Sequence, residues 1–402
     1  MEISDNDAIA SINFAIDYQS ALGSHTDIYH AHSVNFWRDI LPENFRNKIL
    51  SAEIDKPVQF GIKPGEILPA YEPRNHLDLK RYQFDNRTGN GVPITPYYGR
   101  FYPRGRLKGV SGIFPENILP FRCVNVGDNS LEADLNHPLA DQPIQIEANV
   151  LEKKVKPDER GGTCIDWIET ITTGSGMQAR VNGTPTAFFE EDPFGRQDER
   201  PDSEFYGQTR FVQHIDAKAD EIITGLYGRL LQPGMKILDL MTSWVSHIPV
   251  DLDLRQVHGL GMNRVELAAN PRLSAPRVHD LNQNPLLPYD NARFNAVICS
   301  VSVEYLIRPF DVFKEVARVL ESGGLFVTTF SNRWFTPKAI RIWPQIHEFE
   351  RMGLVMEYFA DSGEFTDLKT LSVRGFPRPY EDKYFPQLRH ADPVYAVWGR
   401  KK

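Results

Sequence analysis

No stretch of this 402-residue chain approaches the ~18 uninterrupted apolar residues that a membrane-crossing helix needs. Its opening, MEISDNDAIA, lacks the basic-then-apolar pattern of a secretory leader, so a cytoplasmic protein is expected. Cysteine is scarce. Cys123, Cys164 and Cys299 lie far apart, with no CxxC pair and no matching histidine spacing. That argues against a zinc site or a disulfide framework, so no metal is expected and the three read as buried small apolar residues. Positive charge is not in excess either: the formal net charge is −8. Nonspecific nucleic-acid binding rests on clustered Lys and Arg, so no nucleic-acid partner is indicated. The short run Lys153, Lys154, Lys156 reads as the solvated edge of a strand. Internal repeats and low-complexity tracts are also missing.

What is present suits a folded globular chain, with 41% hydrophobic and 24% charged residues. The length suggests two cores. The first fifty-odd residues carry apolar side chains at helical spacing in FWRDIL and NFRNKIL, a helical lead-in. From Pro57 to Lys156 Pro and Gly punctuate short runs such as LPFRCVNV and IQIEANV, which suit strands and turns. TCIDWIETITT is read as extending that sheet. The acidic, proline-bearing stretch EEDPFGRQDERPDSE has the composition of an exposed linker. The expected organisation is therefore a β-rich module over 1–189, a linker over 190–205 and a second domain over 206–402.

In that second domain the rhythm becomes strand, helix, strand, helix. KILDLM, QVHGLGM, FNAVICSVSV and LFVTTF read as strands. FDVFKEVARVL puts Phe310, Phe313, Val316, Val319 and Leu320 on one stripe, with Gly323 and Gly324 as its stop. Alternation of this kind specifies a parallel sheet with ligands at the carboxyl ends of its strands. The closing runs LVMEYF and VYAVWG, with no helix between them, read as an antiparallel pair.

Residues 279–335 resemble the middle of a type 11 class I methyltransferase. The resemblance lies in Asp280 after the third strand, Leu287-Pro288-Tyr289, a strand opened by Phe294-Asn295, and Arg318-Val319-Leu320-Glu321-Ser322-Gly323-Gly324. The resemblance as a whole covers Tyr206 to Lys402, about half the chain. It implies a Rossmann-like seven-stranded sheet preceded by the smaller β-rich domain, S-adenosylmethionine as cofactor, and Asp280 accepting from the adenine amino group, a role suited to an acceptor-only carboxylate. Strand-end positions of that family fall here on Asp239, Met241, Thr242, Ser243, Gly259, Gly261, Asn263, Asp280, Leu281 and Ser300.

Two positions depart from the family pattern. Where the first loop has Asp-x-Gly-x-Gly-x-Gly, this chain has Asp239 and then Leu-Met-Thr-Ser-Trp-Val-Ser-His, with every glycine gone. The run resembles that of a methyltransferase subgroup with a reshaped loop, and it places Thr242, Ser243 and Ser246 to supply hydroxyls; Trp244 is read equally as core or site. After the second strand Gly261 stands where an acid would hold the ribose, so that contact falls to Asn263 or to water. Restoring an acid by Gly261→Asp is expected to strengthen binding unless the backbone needs a positive φ. Since methyl transfer is an in-line displacement, alignment matters most and a base matters only for a protonated nucleophile. Polar groups near the strand ends are His247, Glu304 and Tyr305, with Tyr206, Arg210 and His214 arriving from FYGQTRFVQHID; no catalytic residue is assigned among them.

In the N-terminal half, residues 121–153 resemble the closing segment of SlyD-type prolyl isomerases, through Asp134-Leu135-Asn136-His137-Pro138-Leu139-Ala140-Asp141, and Pro96-Tyr97-Tyr98-Gly99 matches the family's Ala-Tyr-Gly. The isomerase's early strands and its Gly-rich helix have no counterpart. His137 therefore reads as structural, and the half-match implies a binding module with a possible peptide ligand. The reading is an S-adenosylmethionine-dependent methyltransferase of unidentified acceptor, small molecule or protein, fused to that module. Two other readings stand: an isomerase or chaperone-like peptide-binding protein with an inactive methyltransferase domain, and a noncatalytic protein in which both halves bind.

Overall fold

The computed structural model describes residues 7–87, 93–156 and 161–402. The first six residues, part of the opening MEISDNDAIA, lie outside it. The chain forms two compact units: Met1–Leu22, Ser33–Pro193 and Gln345–Leu354 make the first, and Gly23–His32, Phe194–Pro344 and Val355–Lys402 the second.

The N-terminal region is not a helical lead-in. β1 (Ala8–Gln19) and β2 (Gly23–Asn35) are long strands. In β1 Ile12, Phe14, Ile16 and Tyr18 are buried while the residues between them are not, the period of two that a half-buried strand imposes. Only NFRNKIL becomes a helix, α1 (Glu43–Ser51), which buries Phe45 against Phe60 of β3 (Val58–Ile62) with ring centroids 3.9 Å apart. β4 (His76–Lys80), β5 (Phe101–Pro103), β6 (Pro120–Val126) and β7 (Ser130–Asp134) form a four-stranded sheet in the order β4-β7-β6-β5. Phe84, Tyr102, Phe121, Cys123 and Leu131 make its core. β8 (Ile144–Val155) pairs antiparallel with β1 and β3. TCIDWIETITT does not extend that sheet: Asp166 accepts from the Glu169 amide and opens α2 (Trp167–Thr172). Cys123 and Cys299 are buried as expected. Cys164 is exposed, with its Sγ donating to the Arg38 carbonyl.

The second unit opens with α3 (Asp202–Tyr206) and α4 (Ala217–Leu230), the latter capped by Asp216. The stretch expected to be an open linker is pinned down. Arg196 and Asp202 form a buried ion pair at 2.7 Å, and buried Lys338 donates to the carbonyls of Asp198 and Arg200. Arg196, Asp198 and Asp202 face protein partners rather than water, which composition alone does not reveal, while the other charges of the stretch are exposed.

β9 (Lys236–Leu240), β10 (Gln256–Gly261), α5 (Arg264–Ala269), β11 (Ala275–Val278), β12 (Phe294–Ser300), α6 (Pro309–Val319) and β13 (Leu320–Phe330) build the parallel part of an α/β sheet. α7 (Glu348–Ser362), β14 (Phe365–Arg374) and β15 (Val394–Lys401) complete the elements. The strand order β11-β10-β9-β12-β13-β15-β14 is seven-stranded and Rossmann-like, and Gly23–Tyr29 of β2 adds a parallel edge to β14. β15 runs antiparallel to both β13 and β14. The antiparallel partner of VYAVWG is thus β14, while LVMEYF lies within α7. A short run that is apolar throughout fits a buried helix as well as a strand, and Met352 to Met356 and Phe359 are buried there. α6 ends at Val319, and Gly323, with φ +75, sits in a bulge of β13 rather than in a helix stop.

The family-like elements around α6 are tied together physically. Arg318 donates to the carbonyls of Leu287 (2.9 Å) and Tyr289 (2.9 Å), to Asn291 Oδ1 and to Glu315, and Glu315 accepts from the Leu287 amide at 2.8 Å. The Leu-Pro-Tyr turn is therefore held by the helix that follows it. Asn295, where the family has Asp, accepts from the Lys236 amide and donates to Glu321. Arg318→Ala, which removes several charge-assisted bonds at once, is expected to cost about 1.5–3 kcal/mol in urea unfolding; a loss below ~0.5 kcal/mol would show that the turn holds itself.

Candidate functional site

The strand order reverses between β9 and β12, and the loops leaving β9, β10, β11 and β12 meet there. They line a cavity of about 510 Å³, within the ~300–1,000 Å³ range of ligand pockets. Asp239, Met241, Thr242, Ser243, Gly261, Asn263, Asp280, Leu281 and Ser300 all line it, as do Trp244, His247, Tyr206, Arg210, His214 and Tyr305. Gly259 and Glu304 do not. A Cβ on Gly259 would meet Leu273 at 2.4 Å, so that glycine serves packing, and Glu304 is fully buried.

Asp239 closes β9 and is 1% exposed. Burial pushes its carboxyl up to about 7, against hydrogen bonds from Ser246 and Thr242 and the nearby His247. Its Oδ2 finds no hydrogen-bond partner. A buried carboxyl left half-satisfied beside a cavity is a demand for a donor or cation from a ligand.

The glycine-free loop after it keeps left-handed turns. Met241 (φ +58) and His247 (φ +54) take them without glycine, and Val301 (φ +49) does so after β12, an uncommon conformation for a β-branched residue. Such strain persists only where the surroundings over-determine it. Asn270 Nδ2 donates to the Ser243 carbonyl (3.0 Å) and to Ser246 Oγ (2.9 Å), Ser243 Oγ donates to Glu266 Oε2 (2.6 Å), and His247 Nδ1 meets Asp220 of α4. The three hydroxyls proposed as ligand groups are thus largely engaged in holding the loop. Trp244 is a cavity residue rather than core, with its ring edge-on to Phe211.

Gly261 is where the glycine requirement reappears. A Cβ there would stand 2.0 Å from the Thr242 carbonyl oxygen and 3.2 Å from Leu267. No positive φ is involved; the obstacle to Gly261→Asp is backbone approach, so the expected gain from restoring an acid is withdrawn.

Asn263 also takes a different part from the ribose contact expected of it. Its Oδ1 accepts from the amides of Val265 and Glu266, capping α5, and its Nδ2 donates to the carbonyls of Tyr206 and Gly207. Both ends of the amide are committed. The acid near the second strand is Glu266, in the first turn of α5, which lines the cavity and accepts from the Arg210 amide at 2.6 Å as well as from Ser243. It lies five residues beyond Gly261. An acid in the first turn of the helix after the second strand was the signal available for it.

Asp280 follows β11. Its Oδ1 accepts from the amides of Asn282 (2.9 Å) and Gln283 (3.1 Å), a turn cap, while Oδ2 has no such bond. Asn282 donates to Asp202 Oδ2 (2.7 Å) and to the Tyr305 carbonyl (2.9 Å), tying this turn to α3. Outside the cavity, His76, Asp78 and Glu132 of the four-stranded sheet place ligand atoms within 4.8 Å of one another, an open surface group.

Residues 246–328 match the family model described as Methyltransferase domain (Methyltransf_11). That match lies wholly within the second unit. No curated protein matches the chain. Among solved structures it is similar to a SAM-dependent methyltransferase from Thermotoga maritima (14% identity, 46% of this chain and 91% of that one, TM-score 0.34). It is likewise similar to an S-adenosylmethionine-dependent methyltransferase from Mesorhizobium loti (16% identity, 44% and 96%, TM-score 0.31). The matched segment contains the end of the glycine-free loop from Ser246, then β10, β11, β12, Asp280 and α6, while β9 and Asp239 precede it.

Gly261→Ala is expected to displace the Thr242 loop and to cost about 1–3 kcal/mol of stability, the range for overpacking. Chemical denaturation checks it; an unchanged midpoint would show that the loop moves freely.

Proposed function

We propose that the methyltransferase domain transfers a methyl group from S-adenosylmethionine to an acceptor, with the cofactor in the 510 Å³ cavity at the switch point. The observation carrying this is the buried Asp239 carboxylate, whose Oδ2 lacks a partner, in a cavity that Glu266 and Asp280 also line. Acids gathered there suit a ligand bearing an ammonium and a sulfonium. When bound, the cofactor supplies an electrophilic methyl carbon. Asp280 Oδ2 accepts from its adenine amino group, while Oδ1 stays with the turn. Asp239, ionised, sits opposite its positive charge. Glu266 acts through the Arg210 amide and Ser243, fixing the loop against which the ligand lies.

A consequence follows for pH. With its carboxyl raised to about 7 in the free protein, Asp239 must lose a proton to pair with a cation. Affinity for S-adenosylmethionine is therefore expected to fall as pH drops below about 7, approaching tenfold per unit. Asp239→Asn should flatten that dependence. Asp280→Asn keeps the Oδ1 turn cap but replaces an acceptor with a donor, and is expected to weaken binding by about 1.5–3 kcal/mol, roughly 10- to 150-fold. Calorimetric titration with S-adenosylmethionine and S-adenosylhomocysteine reads all three. No binding of either ligand to the wild type at millimolar concentration would end the proposal.

The N-terminal unit is proposed as a binding module without isomerase activity. In the motif that resembles SlyD-type isomerases, His137 Nδ1 accepts from the Leu139 amide, and desolvation holds its imidazole down to about 4, so it stays neutral and serves the turn. Asn136 bridges Glu72, Asn75 and Asp134. The full chain is expected to leave prolyl isomerisation of a standard peptide at its uncatalysed time of roughly tens to hundreds of seconds; robust acceleration would favour the isomerase reading.

A further inference from the structure

The cavity has two unlike walls. The carboxylates of Asp239, Glu266 and Asp280 belong to the strand-end side. The other side is aromatic: Tyr206, His214, Tyr305, Trp334 and Phe335 line it. Phe335 is its centre, meeting His214 edge-to-face at 4.8 Å, Tyr206 at 6.3 Å and Tyr305 at 6.0 Å. The Arg210 guanidinium stands 5.8 Å over the same Phe335 ring. The Tyr305 hydroxyl is taken, accepting from the Phe335 amide. Two polar groups on this wall are not. The Tyr206 hydroxyl is shut off from solvent and finds no hydrogen-bond partner. The His214 imidazole has no hydrogen bond among the described residues, and its exposed face opens where Val212 and Gln213 also border the cavity.

We infer that this wall is the acceptor subsite, that it takes a planar aromatic ring bearing a protic oxygen or nitrogen, and that His214 receives the proton released on transfer. The inference rests on the reading of the domain as an S-adenosylmethionine-dependent methyltransferase. Ring edges and faces grouped around Phe335 favour another aromatic ring over a saturated one of equal size. A protic nucleophile needs a proton acceptor, because the neutral oxygen or nitrogen becomes positively charged as it bonds to carbon. In the transfer, the bond from that atom to the methyl carbon forms while the carbon–sulfur bond breaks. The electron pair of the broken bond stays on sulfur, and the nucleophile's proton passes to His214 and then to water. His214 is prepared for this. Loss of hydration lowers its pKa below the ordinary imidazole value, Arg210 and Lys383 lower it further, and Glu266 pulls the other way, so the ring is neutral at pH 7. The Tyr206 hydroxyl, kept protonated by burial and by the charges of Asp202 and Glu304, is a donor for an acceptor oxygen, whose second lone pair stays free for the methyl carbon.

Phenol and cyclohexanol serve as probes, since they share a hydroxyl and a ring size but differ in the π face. Titrated by calorimetry into the full chain without cofactor, phenol is expected to bind at least about threefold more tightly than cyclohexanol. Tyr206→Phe should weaken phenol by about 2- to 10-fold. With S-adenosylmethionine present, anisole should form. At S-adenosylmethionine concentrations that saturate the protein throughout the pH range, His214→Gln should slow it by roughly 10²–10⁴-fold and remove the acidic limb of the rate profile, while leaving S-adenosylmethionine affinity as in the wild type. Equal binding of the two probes overturns the aromatic subsite. An unchanged rate in His214→Gln, or phenol bound without anisole, overturns the role of His214. Failure of the wild type to bind S-adenosylmethionine instead overturns the cofactor reading, and the probe comparison still decides the aromatic subsite by itself.

Discussion

The approach of Gly261 to the carbonyl of Thr242 is the constraint on which the rest of the site depends. In the family pattern that residues 279–335 resemble, close approach of backbone to ligand is provided by glycines in the loop after the first strand. Here that loop has none, and it is pressed instead against the end of β10, with its Thr242 amide donating to the Leu260 carbonyl. Any side chain at 261 would occupy the carbonyl's place. The loop then turns through left-handed residues that carry side chains, at Met241 and His247. Their strain is held by bonds to α5 and α4, from Asn270, Glu266 and Asp220. A rigid loop on a rigid helix is a firm floor for a ligand, and the unsatisfied oxygen of Asp239 lies beneath it.

A second consequence is that the charged residues of the cavity have divided duties. Glu266 and Asn263 spend their polar atoms on holding the segment 206–210 and the loop at 243. Asn282 joins the Asp280 turn to Asp202, and Asp202 is itself neutralised by Arg196 and Lys338. Spare hydrogen-bonding capacity is found at Asp239, one oxygen of Asp280, Tyr206 and His214. Those four fall on the two walls, carboxylates on one and aromatic polar groups on the other, a division that suits a cationic ligand facing a planar nucleophile.

Much of this was legible in the sequence where local pattern and tertiary role coincide. The apolar runs of β9, β10 and β12, the stripe of α6 and the turn at Asp280 each carry their own signal. The ties among Leu287, Glu315 and Arg318 explain why those residues stand at that spacing. Other features depend on partners distant in sequence. β1 and β2 alternate at period two, yet the neighbouring apolar residues of FWRDIL and NFRNKIL invited a helical reading. The LVMEYF run is apolar throughout because the middle of α7 is buried, and such a run has no period to betray it. Asp198 and Asp202 read as part of a solvated linker until Lys338, over a hundred residues later, is brought beside them. Likewise the role of Asn263 as a cap needed the helix after it, and the clash at Gly261 needed the carbonyl of Thr242, in the preceding loop.

The most direct measurement is a crystal structure of the full chain grown with saturating S-adenosylhomocysteine. The account predicts the ligand in the cavity at the ends of β9, β10 and β12, its adenine amino group within hydrogen-bond distance of Asp280 Oδ2, its amino group on the side of Asp239, and its sulfur facing the wall of Tyr206, His214 and Phe335. Density for the ligand anywhere else, or an empty cavity at saturation, would contradict it.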